Sequence, residues 1–556
     1  VNKSGIAIPL FVPLLAAYPV IFLAAGNPGQ VTMGTAAAVT ATSVLAAVLA
    51  YALLRLVATS RLTAGYGVTL LVLMFFMYGQ VSSWLDTLVI SLKLGDEATP
   101  NVLDLVPGAR LWIAGVWGAV ALAGAWIIAR SKSPERPGLA KGLNLAAVAL
   151  LLMALSSPAL GMFKSESGGP VSVNSNAGGV SPASPATRPD VYFIVLDGYA
   201  RQDVLAHYYG FDNQPFLDQL RARGFGISEQ SSSNYNWTFL SLASTLNLGY
   251  PHEFLAGRLG PKNVDRTLAY DSVRNSLTAR FLRERGYKVV HLRSTWGATS
   301  INPYADREVR CEHGVYSNEF VRAVAEASWL GAFHTRAGVD LASCHLANFE
   351  ALSAMGAEPG PKFVFAHFLL PHHPYLFDRD GNVLRNAVVS SQFEFQKQLW
   401  EDRASYTSQL EFINQRIIDA VDRIRAQSLV PPIIVLESDH GPNLTKGLDG
   451  NERLGIRFAN LGAYHLPGAP PDLIPASGTA VNQFRRILGY YFEADLPPLP
   501  DRHFVSPYSW PFAVQEVPHA ILSNQWSTMS EPGHADDSKQ LVAIHSEENT
   551  DARAVH

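Results

Sequence analysis

Residues 189–200 read PDVYFIVLDGYA, and the core of this stretch, Val191–Leu196, is an uninterrupted run of β-branched, aromatic and aliphatic side chains. With no polar residue alternating along it, the run predicts a strand buried on both faces, as in a parallel sheet. It ends abruptly at Asp197-Gly198. A second stretch is built the same way: IIVLES (433–438) runs into Asp439-His440-Gly441. Lys288–Leu292 and Lys362–Phe368 predict two more buried strands. Phe216–Arg223 reads as a helix closed by Gly224. Glu401–Gln427 reads as a long helix whose stripe of Tyr406, Leu410, Ile413, Ile417, Val421 and Ile424 is assigned to core packing. The pattern predicts an α/β domain with a mostly parallel sheet sandwiched by helices.

Working outward, the rest of the chain is uneven. Its 556 residues are 48% hydrophobic and 16% charged, where soluble domains carry roughly 25% charge. Residues 1–163 hold only 9 Lys/Arg and 5 Asp/Glu, and all 16 histidines lie beyond position 200, from His207 onward. Five apolar stretches are long enough for a bilayer, which needs about 20 helical residues. They are Gly5–Ala25, Thr35–Ala58, Gly65–Leu85, Leu111–Ala129 and Leu143–Phe163. Lys3, Arg55 with Arg61, and the Arg130, Lys132, Arg136 and Lys141 group mark cytoplasmic loops. The third loop carries Asp86, Asp96, Glu97 and Asp104. Basic loops stay inside, so everything after span five is expected outside. The alternation needs span one, which favours a span there over a cleaved leader. No span has an ionisable residue at mid-depth, which argues against a coupled transporter. A net charge of −4 without a basic stripe gives no reason to expect nucleic-acid binding.

The expected organisation is a transmembrane domain over 1–163, a flexible Ser/Gly/Pro linker over 164–189, a catalytic domain over 190–525 and a polar tail over 526–556. Cys311 and Cys344 are the only cysteines. In an extracytoplasmic segment they are expected to pair, with free buried thiols as the alternative.

Three features carry chemistry. In open α/β sheets ligands bind beyond the carboxyl ends of strands, so Asp197, Asp439 and His440 can converge there. Two carboxylates and an imidazole suit Zn²⁺ or Mn²⁺, and the glycine after each acidic group would leave room for a ligand. Thr238, in SSSNYNWTFLSLASTLNLGY (231–250), sits where a polar loop turns helical. A helix start favours an anionic phosphoryl group, and a nearby metal would activate the hydroxyl. The plain alternative is an N-cap role, with Ser231, Ser232, Ser233, Ser241 and Thr245 as rival nucleophiles. Third, FAHFLLPHHPYLFD (365–378) breaks after a strand into His372-His373-Pro374-Tyr375, a turn suited to phosphate oxygens, a leaving group or a second metal, with solvent exposure of His373 and packing of Tyr375 as the plain alternatives.

Asp197 after a buried strand, Thr238 at a helix start, His372-x-Pro-Tyr375 and Asp439-His440-Gly441 after a late strand follow one another in an order that resembles the alkaline phosphatase/sulfatase superfamily. Five spans ahead of the catalytic half make the chain similar to the membrane-anchored branch of lipoteichoic acid synthases and lipid A phosphoethanolamine transferases. The resemblance implies one divalent metal, Mn²⁺ or Zn²⁺, held by Asp197, Thr238, Asp439 and His440. Thr238 would be the nucleophile, and His372, Tyr375 and Asn234 would contact substrate. It further implies a bacterial inner-membrane protein that moves a phosphoglycerol- or phosphoethanolamine-type group from a phospholipid donor to a glycan or lipid acceptor through phosphothreonine. A phosphodiesterase or phosphatase using water, and a non-catalytic binding domain, are the alternatives. The chain departs from the pattern in carrying Asp197 where the lipoteichoic branch usually has Glu. Thr238-Phe-Leu-Ser also lacks the C/S-x-P-x-R motif that formylglycine sulfatases need. His367, His373 and His465 are available for a second metal, but one tightly bound ion is expected.

Overall fold

The structure is a computed structural model. It describes residues 9–518 apart from 28–29, 93–108, 133–136, 157–187, 257, 259, 312–313, 385–386, 388 and 390–398. Residues 164–187 of the expected linker and the whole expected tail therefore lie outside the described residues. The chain forms two compact units, one of apolar helices together with Asn318–Ala337 and one from the remainder of the second half.

The first unit contains helices Phe11–Gly26, Met33–Val57, Arg61–Leu92, Ala109–Arg130 and Pro137–Ser156. Four are long and apolar enough to cross a membrane, and Phe11–Gly26 is shorter at 16 residues. The third helix runs on past the expected end at Leu85, because Ser82 and Ser83 disfavour a helix interior only mildly. The last begins six residues before the expected Leu143, at Pro137, whose fixed φ suits a first helical position. Small residues let the helices approach closely. A Cβ on Gly67 would collide with Leu54 and the Ala125 carbonyl, and one on Gly124 with Leu70.

The second unit is organised by a seven-stranded sheet. Its strands are β1 (Val191–Leu196), β2 (Phe225–Ile227), β4 (Lys288–Leu292), β5 (Arg307–Val309), β6 (Lys362–Phe368), β7 (Ile433–Glu437) and β8 (Gly462–His465), in the order β2-β8-β7-β1-β6-β4-β5. Two-stranded pairings join β3 (Gln230–Ser232) to β9 (Ser477–Thr479) and β10 (His503–Val505) to β11 (Gln515–Val517). In the large sheet β7, β1, β6, β4 and β5 are mutually parallel, and only β8 and β2 run against their neighbours. Every residue of β1, β6 and β7 is buried, as their unbroken apolar runs require. The alternate side chains Phe193, Val195, Phe365 and Val435 pack against Phe239, Leu242 and Leu246 of helix Thr238–Asn247.

The expected long helix spans Arg403–Gln427 and starts at Asp402, whose side chain accepts from Ser405 N–H. The stripe assigned to core packing is buried, but it also holds loops. Tyr406 Oη donates to the Gly198 carbonyl (2.9 Å) and accepts from Ala200 N–H (3.0 Å). Gln409 lies within the same stripe. Its Oε1 accepts from Leu376 N–H (2.6 Å), and its amide nitrogen donates to the Pro371 and His372 carbonyls (both 3.2 Å).

At the opposite strand ends from these loops, Lys362 at the start of β6 is buried against Asp190, which precedes β1. Asp190 Oδ1 also accepts from Lys362 N–H at 3.0 Å. Removing one charge of a buried pair strands the other, at about 3–5 kcal/mol. Asp190→Asn is therefore expected to lower the unfolding midpoint sharply. The double variant with Lys362→Met should regain most of the loss, because Asn keeps the backbone hydrogen bond.

Candidate active site

The register sets the site. Val191 and Leu196 of β1 pair with Phe363 and Phe368 of β6, and Val195 pairs with Glu437 of β7. The three carboxyl ends are therefore level, and Asp197 and Asp439 emerge side by side. His367, the sixth residue of β6, shares by alternation the sheet face of Phe363 and Phe365.

His367 Nε2 lies 3.3 Å from Asp197 Oδ2, and His440 Nε2 lies 3.1 Å from Asp439 Oδ2 and 3.9 Å from Asp197 Oδ1. Asp439 Oδ1 accepts from Gly198 N–H at 3.0 Å. Asp197 Oδ1, Asp439 Oδ2 and His367 Nε2 are buried without a hydrogen-bond partner. Asp197, His367 and Asp439 offer ligand atoms within 4.8 Å of one another. Two carboxylate oxygens and an imidazole nitrogen left orphaned in one buried place fit a divalent cation. The far sides of both rings are also fixed. His440 Nδ1 donates to the Gly441 carbonyl (2.9 Å), so its Nε2 carries the lone pair, and His367 Nδ1 is bonded to Thr299 Oγ1 (2.8 Å).

Thr238 is the first residue of its helix, and the N-cap position belongs to Trp237, which makes no side-chain cap. The N-cap alternative for Thr238 therefore fails. Its Oγ1 lies within hydrogen-bond distance, 3.0 Å, of His440 Nε2. Three of the rival hydroxyls are engaged elsewhere: Ser231 with Asn460, Ser232 with His503 and Ser233 with the Tyr235 carbonyl. Ser241, one turn further on, donates to the Asp439 carbonyl at 2.6 Å and so ties the helix to the Asp-His segment.

Burial would raise the Asp197 carboxyl, but His372, His367 and His440 outweigh it and hold Asp197 well below the usual range. Asp439 moves the other way, raised by burial and by the neighbouring Asp197 charge. Burial and then Arg457 push His440 well below an ordinary histidine, so it stays neutral. Burial also lowers His372, with Asp197 opposing. A like-charge carboxylate pair of this kind calls for positive charge.

The structure corrects several expectations. Tyr375 is buried, and its hydroxyl donates to the Leu399 carbonyl at 2.9 Å, so it packs rather than facing a substrate. Asn234 is also structural, since its amide donates to the Arg502 carbonyl and accepts from Val481 N–H (both 2.8 Å). The two glycines do not leave room for a ligand. Gly198 has φ +68° with the Trp400 ring over it, and a Cβ on Gly441 would strike the Ile456 and Ala459 carbonyls. His465, the last residue of β8, bonds to the Pro432 carbonyl just before β7, and His373 is buried under Trp400. His372 does reach the site: its N–H donates to the Asp197 carbonyl (3.1 Å), and its Nδ1 faces the His373 carbonyl, which frees Nε2. Cys311 and Cys344 form a disulfide, Cα–Cα 5.2 Å.

Arg457 escaped the sequence reading, and His367 entered it only as a spare ligand for a second metal. Strand alternation in KFVFAHF would have flagged His367. No local signal marks Arg457, which comes from helix Gly450–Phe458. Its guanidinium donates to the Asn236 (2.8 Å) and Gly441 (2.9 Å) carbonyls and to His440 Nε2 (2.9 Å).

A parallel α/β sheet with a hydroxyl at a helix start and an acid–imidazole cluster beyond its central strands defines an enzyme of alkaline phosphatase-like phospho- or sulfo-transfer or hydrolysis. A family model described as Sulfatase matches residues 189–486, more than half of the chain, and the chain belongs to that family. With apolar helices ahead of the match, it is a membrane-anchored member. No curated protein matches it in sequence. Similar solved structures include the C-terminal periplasmic domain of EcEptC from Escherichia coli in complex with Zn. That match has 12% identity and a TM-score of 0.41, and it covers 62% of this chain and 95% of that one. The soluble domain of lipooligosaccharide phosphoethanolamine transferase A from Neisseria meningitidis matches at 12% identity and TM-score 0.36, covering 57% and 92%. The phosphonate monoester hydrolase of Agrobacterium radiobacter matches at 14% identity and TM-score 0.37, covering 57% and 80%.

Elemental analysis and calorimetry are expected to find a tightly held divalent ion in the purified chain. Asp197→Asn or Asp439→Asn should weaken it by about 100-fold or more, beyond the usual effect of outer-sphere changes. Gly441→Ala should cost about 1–3 kcal/mol by overpacking. Gly260→Ala, with open space around the added carbon, should leave the unfolding midpoint unchanged.

Proposed function

We propose that this chain is a metal-dependent extracytoplasmic phosphotransferase. It would move a phosphoglycerol- or phosphoethanolamine-type group from a phospholipid donor to a cell-envelope glycan or lipid acceptor through a phosphothreonine at Thr238. The observation that carries this reading is the Thr238 hydroxyl at a helix start, hydrogen-bonded to His440 Nε2 beside the Asp197–Asp439 pair.

Asp197, Asp439, His440 and Thr238 would hold one Mn²⁺ or Zn²⁺, with His367 as a further nitrogen, and the ion would supply positive charge to the Thr238 oxygen and the phosphoryl group. Thr238 Oγ forms the new bond to phosphorus while the bond from phosphorus to the diacylglycerol oxygen breaks. The hydroxyl loses its proton, and the departing oxygen gains one. His372 would take the Thr238 proton on Nε2, which is unprotonated because Nδ1 donates to a carbonyl and burial keeps the ring neutral, and would pass it to the departing oxygen. The helix start and the Arg457 guanidinium, fixed by two backbone carbonyls, place positive charge beside the nucleophile. In the second half-reaction an acceptor hydroxyl takes the phosphoryl group and Thr238 recovers its proton.

The test is to incubate the full chain in detergent with phosphatidylglycerol or phosphatidylethanolamine and a divalent metal, then follow diacylglycerol and the mass of the Thr238 peptide. Wild-type chain should release diacylglycerol and gain an adduct whose mass names the transferred group, and Thr238→Ala should do neither. Release that persists in Thr238→Ala overturns the nucleophile. Phosphorus that appears only in free phosphate esters, with acceptor glycans present, overturns the transferase reading in favour of hydrolysis.

A further inference from the structure

Asn318–Ala337 is encoded inside the catalytic half, yet it belongs to the compact unit of the apolar helices. It begins with helix Glu319–Glu326, capped by the Asn318 side chain on Val321 N–H, and continues as a 3₁₀ turn over Trp329–Arg336. Trp329 Nε1 donates to the Ala114 carbonyl at 3.0 Å. Ala332 and Trp329 pack with Tyr78, Ala114, Ile113 and Trp117. A Cβ on Gly79 would strike the backbone of Glu326 and Ala327, so helix Arg61–Leu92 meets this segment backbone to backbone.

The 3₁₀ geometry decides what the other side presents. With three residues per turn, positions i and i+3 eclipse, so Trp329 and Ala332 share the inner face while Leu330 and Phe333 share the outer one. Those two side chains are 44% and 43% exposed. An apolar outer stripe on an element whose inner stripe is already packed has no reason to face water.

The level along the helices is also defined. Ala114 and Trp117 lie in the first turns of helix Ala109–Arg130, at the end that the loop charges place outside, and Tyr78 and Gly79 lie within the last five residues of the apolar stretch Arg61–Ser82. Ala114 is five residues past the start of its helix at Ala109, about 8 Å at 1.5 Å per residue, the depth of an interfacial helix. Trp84 and Trp112, both exposed on the same helices, together with Trp117 and Trp329 give the aromatic belt expected at a membrane–water boundary. In the chain the segment lies between Cys311 and Cys344, which form a disulfide.

We propose that Asn318–Ala337 is a monotopic membrane element of the catalytic half. It seats in the outer-leaflet interface with Leu330 and Phe333 among phospholipid acyl chains, and so gives the catalytic half a second attachment to the bilayer besides the linker. This inference is independent of the reaction proposed for Thr238.

The test uses the full chain in vesicles of phosphatidylglycerol and phosphatidylethanolamine, with p-benzoylphenylalanine in place of Leu330 or Phe333. Irradiation should give lipid adducts at both positions, as at the lipid-facing Val116 of helix Ala109–Arg130, and none at Leu429, which is fully exposed in the other unit. Adducts at Val116 without any at 330 and 333 overturn the proposal. Hydroxyl-radical footprinting of the unsubstituted chain in the same vesicles needs no variant. It should spare Phe333 and oxidise Tyr304, which has the same 43% exposure. Equal oxidation of the two overturns the proposal.

Discussion

Two carboxylates, Asp197 and Asp439, are held side by side in the interior of the second unit because β1, β6 and β7 end at one level. Like charges at that range in a low dielectric repel strongly, and much of the surrounding architecture answers that repulsion. His367, His372 and His440 stand around the pair, and the orphaned oxygens and imidazole nitrogen complete a set that a divalent cation satisfies. The arrangement is unfavourable for an empty core and well matched to a bound divalent cation.

Holding such a pair requires a stiff frame, and the hydrogen bonds supply one from every side. Tyr406 and Gln409 on one long helix grip the turn after β1 and the loop after β6. Ser241 ties helix Thr238–Asn247 to the Asp439 carbonyl. Ser438 Oγ accepts from Tyr199 N–H and donates to the His440 carbonyl, which links the two acidic turns directly. Gly441 lets helix Gly450–Phe458 lie against the Asp-His segment, and that contact delivers Arg457. Residues distant in sequence thus position one another through backbone groups, the kind of supporting shell that keeps catalytic geometry tight.

Much of this was legible in the sequence. The unbroken runs at 191–196, 362–368 and 433–436 required strands buried on both faces, and the acidic residues ending two of them marked the site edge. The placement of Thr238 at a helix start and of Asp439 and His440 beyond a strand end followed from the sequence pattern. What stayed hidden depended on register and tertiary contact. His367 looked like one of several spare histidines until β6 was paired with β1. Arg457 looked like an ordinary helix arginine. Tyr375 and Asn234 carried polar groups that suggested substrate, but only the folded chain shows those groups engaged with backbone. The glycines of Asp-Gly and Asp-His-Gly were read as space, whereas both are contact points. The grouping of Asn318–Ala337 with the apolar helices had no sequence signal, because the segment is short and carries charges.

The Cys311–Cys344 bridge has a consequence for the order in which the protein matures. Its second cysteine lies well down the chain, so the ring cannot close until that residue has been exported into an oxidising compartment. Every residue of the bracketed segment must already have crossed by then. Biogenesis therefore has a built-in order in which export precedes covalent closure.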